Sequence, residues 1–245
     1  MEHKMGGKIS ESVIKRLPRY YRFLSELKQQ GRERISSREL SERMGFTASQ
    51  IRQDLSCFGG FGHQGYGYNI EILQSEIEHI LKLDRPKSTI LIGMGNLGRA
   101  VAMHMNFESK GFHLIGIFDA KESLVGQIVR NQPIRSTDTL DEFCRENLPQ
   151  VAILCIPKEA AEGISAQLVK LGVEAFWNFS HYDIAMHHPG VVVQNIHFSD
   201  SLMRLSFKMK SIVEDEEIEE EIDEDIEEIE NEIDVEAEDE ETIVE

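Results

Sequence analysis

The stretch ILIGMGNLGRA, residues 90–100, constrains the fold more than any other part of the chain. An apolar run meets Gly93, Gly95 and Gly98 at G-x-G-x-x-G spacing, and the pattern predicts a helix from about Leu97. Strand, glycine turn and helix in that order open a βαβ dinucleotide-binding unit, because glycine permits the tight turn and lets backbone approach a pyrophosphate. The second strand, HLIGIFD, ends in Asp119, 21 residues after Gly98. An acid at that strand tip accepts hydrogen bonds from ribose hydroxyls and repels a 2′-phosphate, which favours NAD(H) over NADP(H). Gly93, Met94, Gly95, Asn96, Leu97, Gly98 and Asp119 are therefore the candidate pyrophosphate and ribose contacts. Such turns also bind other nucleotides or CoA, and some only turn the chain.

The alternation continues. TLDEFCREN reads as helix, VAILCIP as strand, KEAAEGISAQLVKLG as helix, AFWNF as strand, and VVVQNI as extended chain. Strand and helix taking turns predict an α/β fold with a mostly parallel sheet covered on both faces. Ligands sit at the carboxyl ends of such strands, so Ile156, Pro157, Asn178 and Phe179 are candidate walls of the nicotinamide end. A dehydrogenase would also need a substrate domain and an acid or base. After the last strand there is a single helical segment, SDSLMRLSFKMK, and then acid. An NAD-dependent oxidoreductase or a CoA-binding enzyme is therefore the alternative with less room in the chain.

A nucleotide motif some ninety residues in leaves a substantial segment before it. IKRLPRYYRFLSELKQQG carries Leu17, Tyr20, Tyr21, Leu24 and Leu27 at helical steps, with Pro18 expected in the first turn or at a kink. Ser36-x-x-Glu39 and Thr47-x-x-Gln50 read as capping boxes for two short helices separated by Gly45. The second turns Ile51 and Leu55 inward and leaves Thr47, Ser49, Gln50, Arg52 and Gln53 on or near its outer face. Arg can donate twice to guanine and Gln can pair with adenine in the major groove, so this is a candidate helix-turn-helix. GGFGHQGYGYN follows, with five glycines and three aromatics in eleven residues. That composition predicts a tight hairpin, a wing whose Phe61, Gly62, His63, Gln64, Gly65 and Tyr66 can approach a backbone or minor groove. An ordinary helical subdomain with solvated polar faces is the plainer alternative. IEILQSEIEHILKL then reads as a connecting helix, and Asp84-Arg85-Pro86 marks a boundary.

The net charge of −18 opposes nucleic-acid binding only until it is divided. Of the 44 acidic residues, 21 lie from Glu214 onward among no Lys or Arg, which leaves 26 basic against 23 acidic before them. The first 69 residues carry 12 basic and 7 acidic side chains, a balance suited to phosphate. Within the acidic tail Ile218, Ile222, Ile226, Ile229 and Ile233 recur at steps of 4, 4, 3 and 4. Self-repulsion opposes an isolated helix, so the expectation is a disordered solvating tail. The alternative is a segment that folds on a basic partner or on the chain's own DNA-binding head. Cys57, Cys144 and Cys155 form no C-x-x-C pair, and the nine histidines show no metal-ligand spacing, so neither a disulfide framework nor a metal site is expected. The start MEHKMGGKIS lacks the apolar core of a signal peptide, and no apolar run is long enough to span a membrane. A cytoplasmic protein without a membrane partner is the expectation.

RLPRYYRFL, TASQIRQDLSCFGGFGHQGYGYN, GMGNLGRA, IFDA, WNFS and SDSLMRLSF together resemble the Rex family of redox-sensing transcriptional repressors over about residues 8–210. The resemblance implies a winged-helix domain with its connecting helix (1–83), a Rossmann NAD(H) domain (84–198) and a C-terminal dimerisation helix that swaps onto the partner (199–213), ahead of the acidic tail (214–245). It implies no catalysis. It implies a homodimer on double-stranded operator DNA, released when NADH favours a closed form whose two heads no longer match the half-sites. By position, Arg52 and its neighbours would read the major groove and His63 and Gln64 the minor groove. Asp119 would hold the adenosine ribose, and Phe198 would reach toward the partner's nicotinamide. The chain departs from the family where many members carry Arg or Lys at the position of Gln64. It also departs where some relatives pair a tyrosine and an aspartate at the interface, here His104 and His197, with Arg22 as the joining arginine. A neutral imidazole cannot replace a carboxylate in an ion pair, so a pH-sensitive interface is the expectation.

Overall fold

The computed structural model describes residues 9–57, 62–63 and 67–209. The head begins with α1 (Glu11–Gln29), capped by the Ser10 hydroxyl accepting from the Val13 N–H. The three- and four-residue spacing of its apolar positions puts Leu17, Tyr20, Leu24 and Leu27 on one face, all essentially without solvent exposure. Pro18 falls mid-helix rather than in the first turn, where its missing N–H costs one backbone hydrogen bond but its ring is exposed. After β1 (Arg34–Ile35) come α2 (Ser37–Met44) and α3 (Ala48–Ser56). The Ser36–Glu39 box forms with both of its hydrogen bonds, and Gly45 ends α2 at φ 64°, a left-handed turn that a side chain would strain. The Thr47 box is only half made. Thr47 Oγ1 accepts from the Gln50 N–H, but the Gln50 side chain turns away to Asp54 instead of reaching back.

Strands β2 (Gly62–His63) and β3 (Gly67–Asn69) pair antiparallel, and β1 joins β3 on its other side. The wing expected from the glycine-rich run is therefore a hairpin, while Phe61, Gln64, Gly65 and Tyr66 lie outside the described residues. Asn69 caps α4 (Ile70–Ile80), whose Leu73 and Ile77 close the head's core against α1, α2 and α3. Lys87 Nζ then donates to the carbonyls of Lys82 and Arg85, tying the boundary segment to the first strand of the next unit.

That unit is a seven-stranded sheet in the order β10-β9-β8-β4-β5-β7-β6. Its strands are β4 (Lys87–Ile92), β5 (Phe112–Asp119), β6 (Ile128–Val129), β7 (Gln132–Ser136), β8 (Val151–Leu154), β9 (Ala175–Asn178) and β10 (Val192–Asn195). All neighbours run parallel except β6 and β7, a hairpin edge. Helices α5 (Asn96–His104), α6 (Leu140–Asn147), α7 (Lys158–Lys170) and α8 (Ile184–His187) complete it, and α5 starts one residue before the expected Leu97. The β6–β7 hairpin was not visible in the glycine pattern. Its two turn residues, Arg130 and Asn131, take φ of 49° and 62°, the conformation of a turn usually signalled by Asn-Gly. Apolar clusters lie on both sheet faces. Beyond β10 the chain is helical over residues 198–209, here α9.

Candidate nucleotide crevice and nucleic-acid interface

From β4 the chain proceeds outward to β5 and β7, then returns to the other side of β4 with β8, β9 and β10. The direction in which successive strands are added therefore reverses between β4 and β8, and the loops leaving the carboxyl ends of those two strands diverge to open a crevice. Ile92, Gly93 and Gly95 form one wall, Cys155, Ile156 and Pro157 the other, and Asp119 with Ala120 the end, around a cavity of about 410 Å³. The three glycines stand in different surroundings. Gly93 has φ 96°, and a methyl there would overlap the Cys155 carbonyl oxygen. A methyl on Gly98 would overlap the Gly93 carbonyl oxygen, so only hydrogen lets α5 sit this close to the turn. Nothing lies within 4 Å of the position a Gly95 side chain would take. Protein packing therefore does not explain Gly95. No side chain caps α5, so Asn96 and Leu97 bring first-turn amides to the same place.

Asp119 Oδ2 accepts from the Met94 N–H at 2.6 Å and Oδ1 from the Lys121 N–H at 2.7 Å. The two bonds hold the carboxylate at the mouth of the crevice, and each oxygen keeps lone pairs for hydroxyl donors. Met94 itself is 2% exposed and contributes its amide to Asp119 rather than its side chain to a ligand. Burial pushes the Cys155 thiol up to about 12, so the sulfur at the crevice floor stays protonated and is no nucleophile. Lys121, Leu124, Thr137, Ala160 and Ile164 also line the crevice. Sequence reasoning missed them because they arrive from loops and from α7, with no motif of their own.

The residues expected at a nicotinamide end divide. Asn178 is fully buried and donates to the Tyr182 carbonyl and Asn195 Oδ1, while its Oδ1 accepts from the Ser180 N–H and hydroxyl. Its amide fixes the shape of the β9 end and presents nothing to a ligand. Phe179 stacks edge-on with Trp177 at 4.7 Å and lies 6.2 Å from Phe198, which is 65% exposed. His197 stacks on His181 at 5.1 Å. Arg22 and His104 are exposed, and among the described residues no hydrogen bond or ring contact joins Arg22, His104 and His197 to one another. Nor, among the described residues, is there a cluster of His, Cys, Asp or Glu able to hold a metal ion.

On the head, α3 presents Ser49, Arg52 and Gln53 to solvent, with Thr47 exposed at its N-cap. Arg52 uses one donor on the Ser37 hydroxyl at 3.3 Å, which leaves most of its fork free. Gln50 is half-buried, because its amide donates to Asp54 Oδ1 at 2.8 Å, so it supports α3 more than it faces outward. Gly62 and His63 are described as strand backbone in the wing.

Asp54, the one acid of α3, was missed from sequence. In the fold it has no solvent exposure. Arg16 donates to it twice at 2.7 Å and the Tyr20 hydroxyl once at 3.0 Å. Burial pushes the carboxyl up, but the hydrogen bonds from Arg16, Gln50 and Tyr20 and the guanidinium charge outweigh it and hold Asp54 below its ordinary value. The only acid of α3 thus faces inward and is neutralised, so the outer face of the helix carries no negative charge.

Two apolar surfaces complete the arrangement. On α9, Phe198, Leu202, Leu205 and Met209 recur at steps of 4, 3 and 4 and are each more than half exposed. A cavity of about 630 Å³ lies between Pro18 of α1 and the sheet residues Thr89, Ile153, Phe176, Trp177 and Val192. The head and the nucleotide domain each supply part of its wall. Across the same gap Lys110 Nζ sits 4.7 Å over the Tyr21 ring.

Residues 8–56 match the family described as "Putative DNA-binding protein N-terminus", and residues 84–182 that described as the CoA binding domain. The redox-sensing transcriptional repressor Rex of Thermoanaerobacter pseudethanolicus is 49% identical over 202 residues, 82% of this chain and 90% of that protein. Rex of Clostridioides difficile is 47% identical, covering 84% of this chain and 98% of that protein. Among solved structures, RSP with β-NAD+ and operator DNA superposes with a TM-score of 0.76 at 45% identity, covering 87% of this chain and 98% of that one. RSP with β-NADH superposes with a TM-score of 0.74 at 45% identity, covering 84% and 96%. These relatives are repressors rather than enzymes, which sets aside the oxidoreductase alternative. The match runs through the head and the parallel-sheet domain with its glycine crevice and spans most of both chains, and the chain belongs to the Rex family of redox-sensing transcriptional repressors.

Proposed function

We propose that this chain represses transcription as a cytoplasmic homodimer. It holds operator DNA through the α3 faces and wings, and it releases the DNA when NADH binds the crevices. The observation that carries the reading is the apolar slot between Pro18 and the sheet, together with the exposed stripe of α9. A second copy seating its α9 in that slot would bury both apolar surfaces and touch head and nucleotide domain at once. The two domains would then move together, which coupling between DNA and nucleotide requires.

Gly93, Gly95 and Gly98 with the first amides of α5 would hold the pyrophosphate, and Asp119 the adenosine ribose. Ile156, Pro157 and Phe179, with the partner's α9 bringing a second Phe198, would enclose the nicotinamide end. CoA carries a phosphate on its ribose, which the Asp119 carboxylate would repel, so the nucleotide domain is tuned to NAD(H). Thr47, Ser49, Arg52 and Gln53 would face bases or phosphates, with Gln50 positioning α3 and Phe61 to Tyr66 forming the wing tip. In the dimer Arg22, His104 and His197 would meet across the interface, where an imidazole in place of a carboxylate would make the release of DNA by NADH depend on pH.

NADH can control DNA only by binding one conformer more tightly than the other, so binding alone proves nothing. A duplex selected from a random pool by the full chain, titrated with NADH, NAD+ and NADPH at pH 6 and pH 8, tests the reading. Release by NADH at concentrations where NADPH is inert supports it, and duplex affinity indifferent to NADH refutes it. Identical curves at the two pH values would remove the imidazole switch alone.

A further inference from the structure

We infer that the acidic tail, residues 214–245, docks on the DNA-reading face of the head and competes with operator DNA. The inference rests on the reading of α3 as that face. Arg34, Arg38, Arg43 and Arg52 are all exposed on β1, α2 and α3. Among the described residues Arg34 and Arg43 form no ion pair, and Arg38 has only a surface pair with Glu42. The burial of Asp54 against Arg16 removes the one acid that would have opposed an anion on α3. A surface shaped for a polyphosphate does not discriminate strongly against another dense polyanion, because the attraction comes from charge and counterion release.

The tail supplies such an anion, with 21 acidic residues and no Lys or Arg in 32. It also reaches. Thirty-two residues span at most about 105 Å extended and about 30 Å as a flexible coil. The tail follows α9, whose proposed slot is walled in part by Pro18 of α1, so it would leave the dimer within reach of a head. A tethered segment acts at an effective concentration of roughly 1 mM. With a dissociation constant of about 0.1 mM, at the weak end of non-specific polyanion binding, the tail would occupy the face roughly ten to one. Operator affinity would then be lower by about tenfold at low salt, and the difference would fade as salt screens the contact.

The test compares the full chain, a chain ending at Val213, and a full-length chain with its tail acids replaced by Gln and Asn. Duplex affinity is measured from 50 to 300 mM salt, together with the reactivity of head arginines toward phenylglyoxal without DNA. Docking predicts roughly tenfold tighter binding and a steeper salt slope for both altered chains, faster arginine modification once the tail is removed, and competition by added 214–245 peptide. Equal affinities and slopes for all three chains would overturn it. So would tighter binding of the altered chains with unchanged arginine reactivity, because the tail would then repel DNA from a distance without docking. Failure of the Val213-ending chain to hold any duplex would instead count against α3 as the reading face.

Discussion

Replacing Asp54 with alanine tests whether the charge buried under α3 sets the head's stability and its grip on DNA. The carboxylate accepts two hydrogen bonds from Arg16 at 2.7 Å, one from Tyr20 at 3.0 Å and one from Gln50 at 2.8 Å, tying α3 to α1. Removing one partner of a buried pair costs about 3–5 kcal/mol. Arg16 keeps 24% of its side chain in solvent and can recover water, so the lower end of that range applies to it. The Tyr20 hydroxyl cannot, because Tyr20 is fully buried, and an unsatisfied hydroxyl costs about 1–3 kcal/mol. A loss of about 4 kcal/mol follows, most of the roughly 5 kcal/mol of a small domain. With a urea slope of about 1 kcal/mol/M, the head's midpoint would drop by about 4 M. The chain's one tryptophan, Trp177, lies in β9, so its fluorescence reports the nucleotide domain while far-UV dichroism reports both. In urea, Asp54→Ala should separate the two signals, with the helical signal falling first. Tyr20→Phe should cost only about 1 kcal/mol. Because the folded-state pKa of Asp54 lies below its ordinary 3.8, its contribution is complete above that value and is lost as pH falls through the folded pKa. The stability gap between the parent and Asp54→Asn should therefore be constant above about pH 5 and narrow as pH falls below 3.8 toward the folded-state pKa. Coincident urea transitions in Asp54→Ala, at the parent's midpoint, would refute the reasoning.

Gly98→Ala should abolish NADH binding by calorimetry while the head still melts as in the parent, because the added methyl overlaps the Gly93 carbonyl and must push α5 off the turn. Asp119→Asn should weaken NADH by about ten- to a hundredfold, as a charged acceptor becomes a neutral one that also faces the Met94 amide. An unchanged affinity would move the ribose away from Asp119. Arg52→Ala should lower operator affinity by roughly tenfold and leave NADH affinity untouched, since a base-edge or phosphate contact of Arg is worth about 1–3 kcal/mol. Equal losses on every duplex, with a salt slope reduced by about one, would assign Arg52 to phosphate rather than to a base.

Much of this protein is written locally. The spacing of Leu17, Tyr20, Leu24 and Leu27 gave a helix face, Ser36 and Glu39 a start, Gly45 a stop, and the glycine triplet with Asp119 a nucleotide crevice, because each depends on neighbours within a few residues or on one strand-turn-helix unit. Pairings between distant segments could not be read that way. Asp54 drew no reading from sequence, because its role depends on Arg16, 38 residues away. Gln50 looked free for a base until the same carboxylate claimed it, and Asn178 looked like a ligand wall until its amide proved fully used inside. The slot beneath Pro18 has no sequence signature, since its walls come from α1 and from five strands. Periodicity and turn chemistry are properties of short segments and survive without the rest of the chain. Which charge is hidden, which amide is spent and which apolar face lies bare depend on what the fold brings against them.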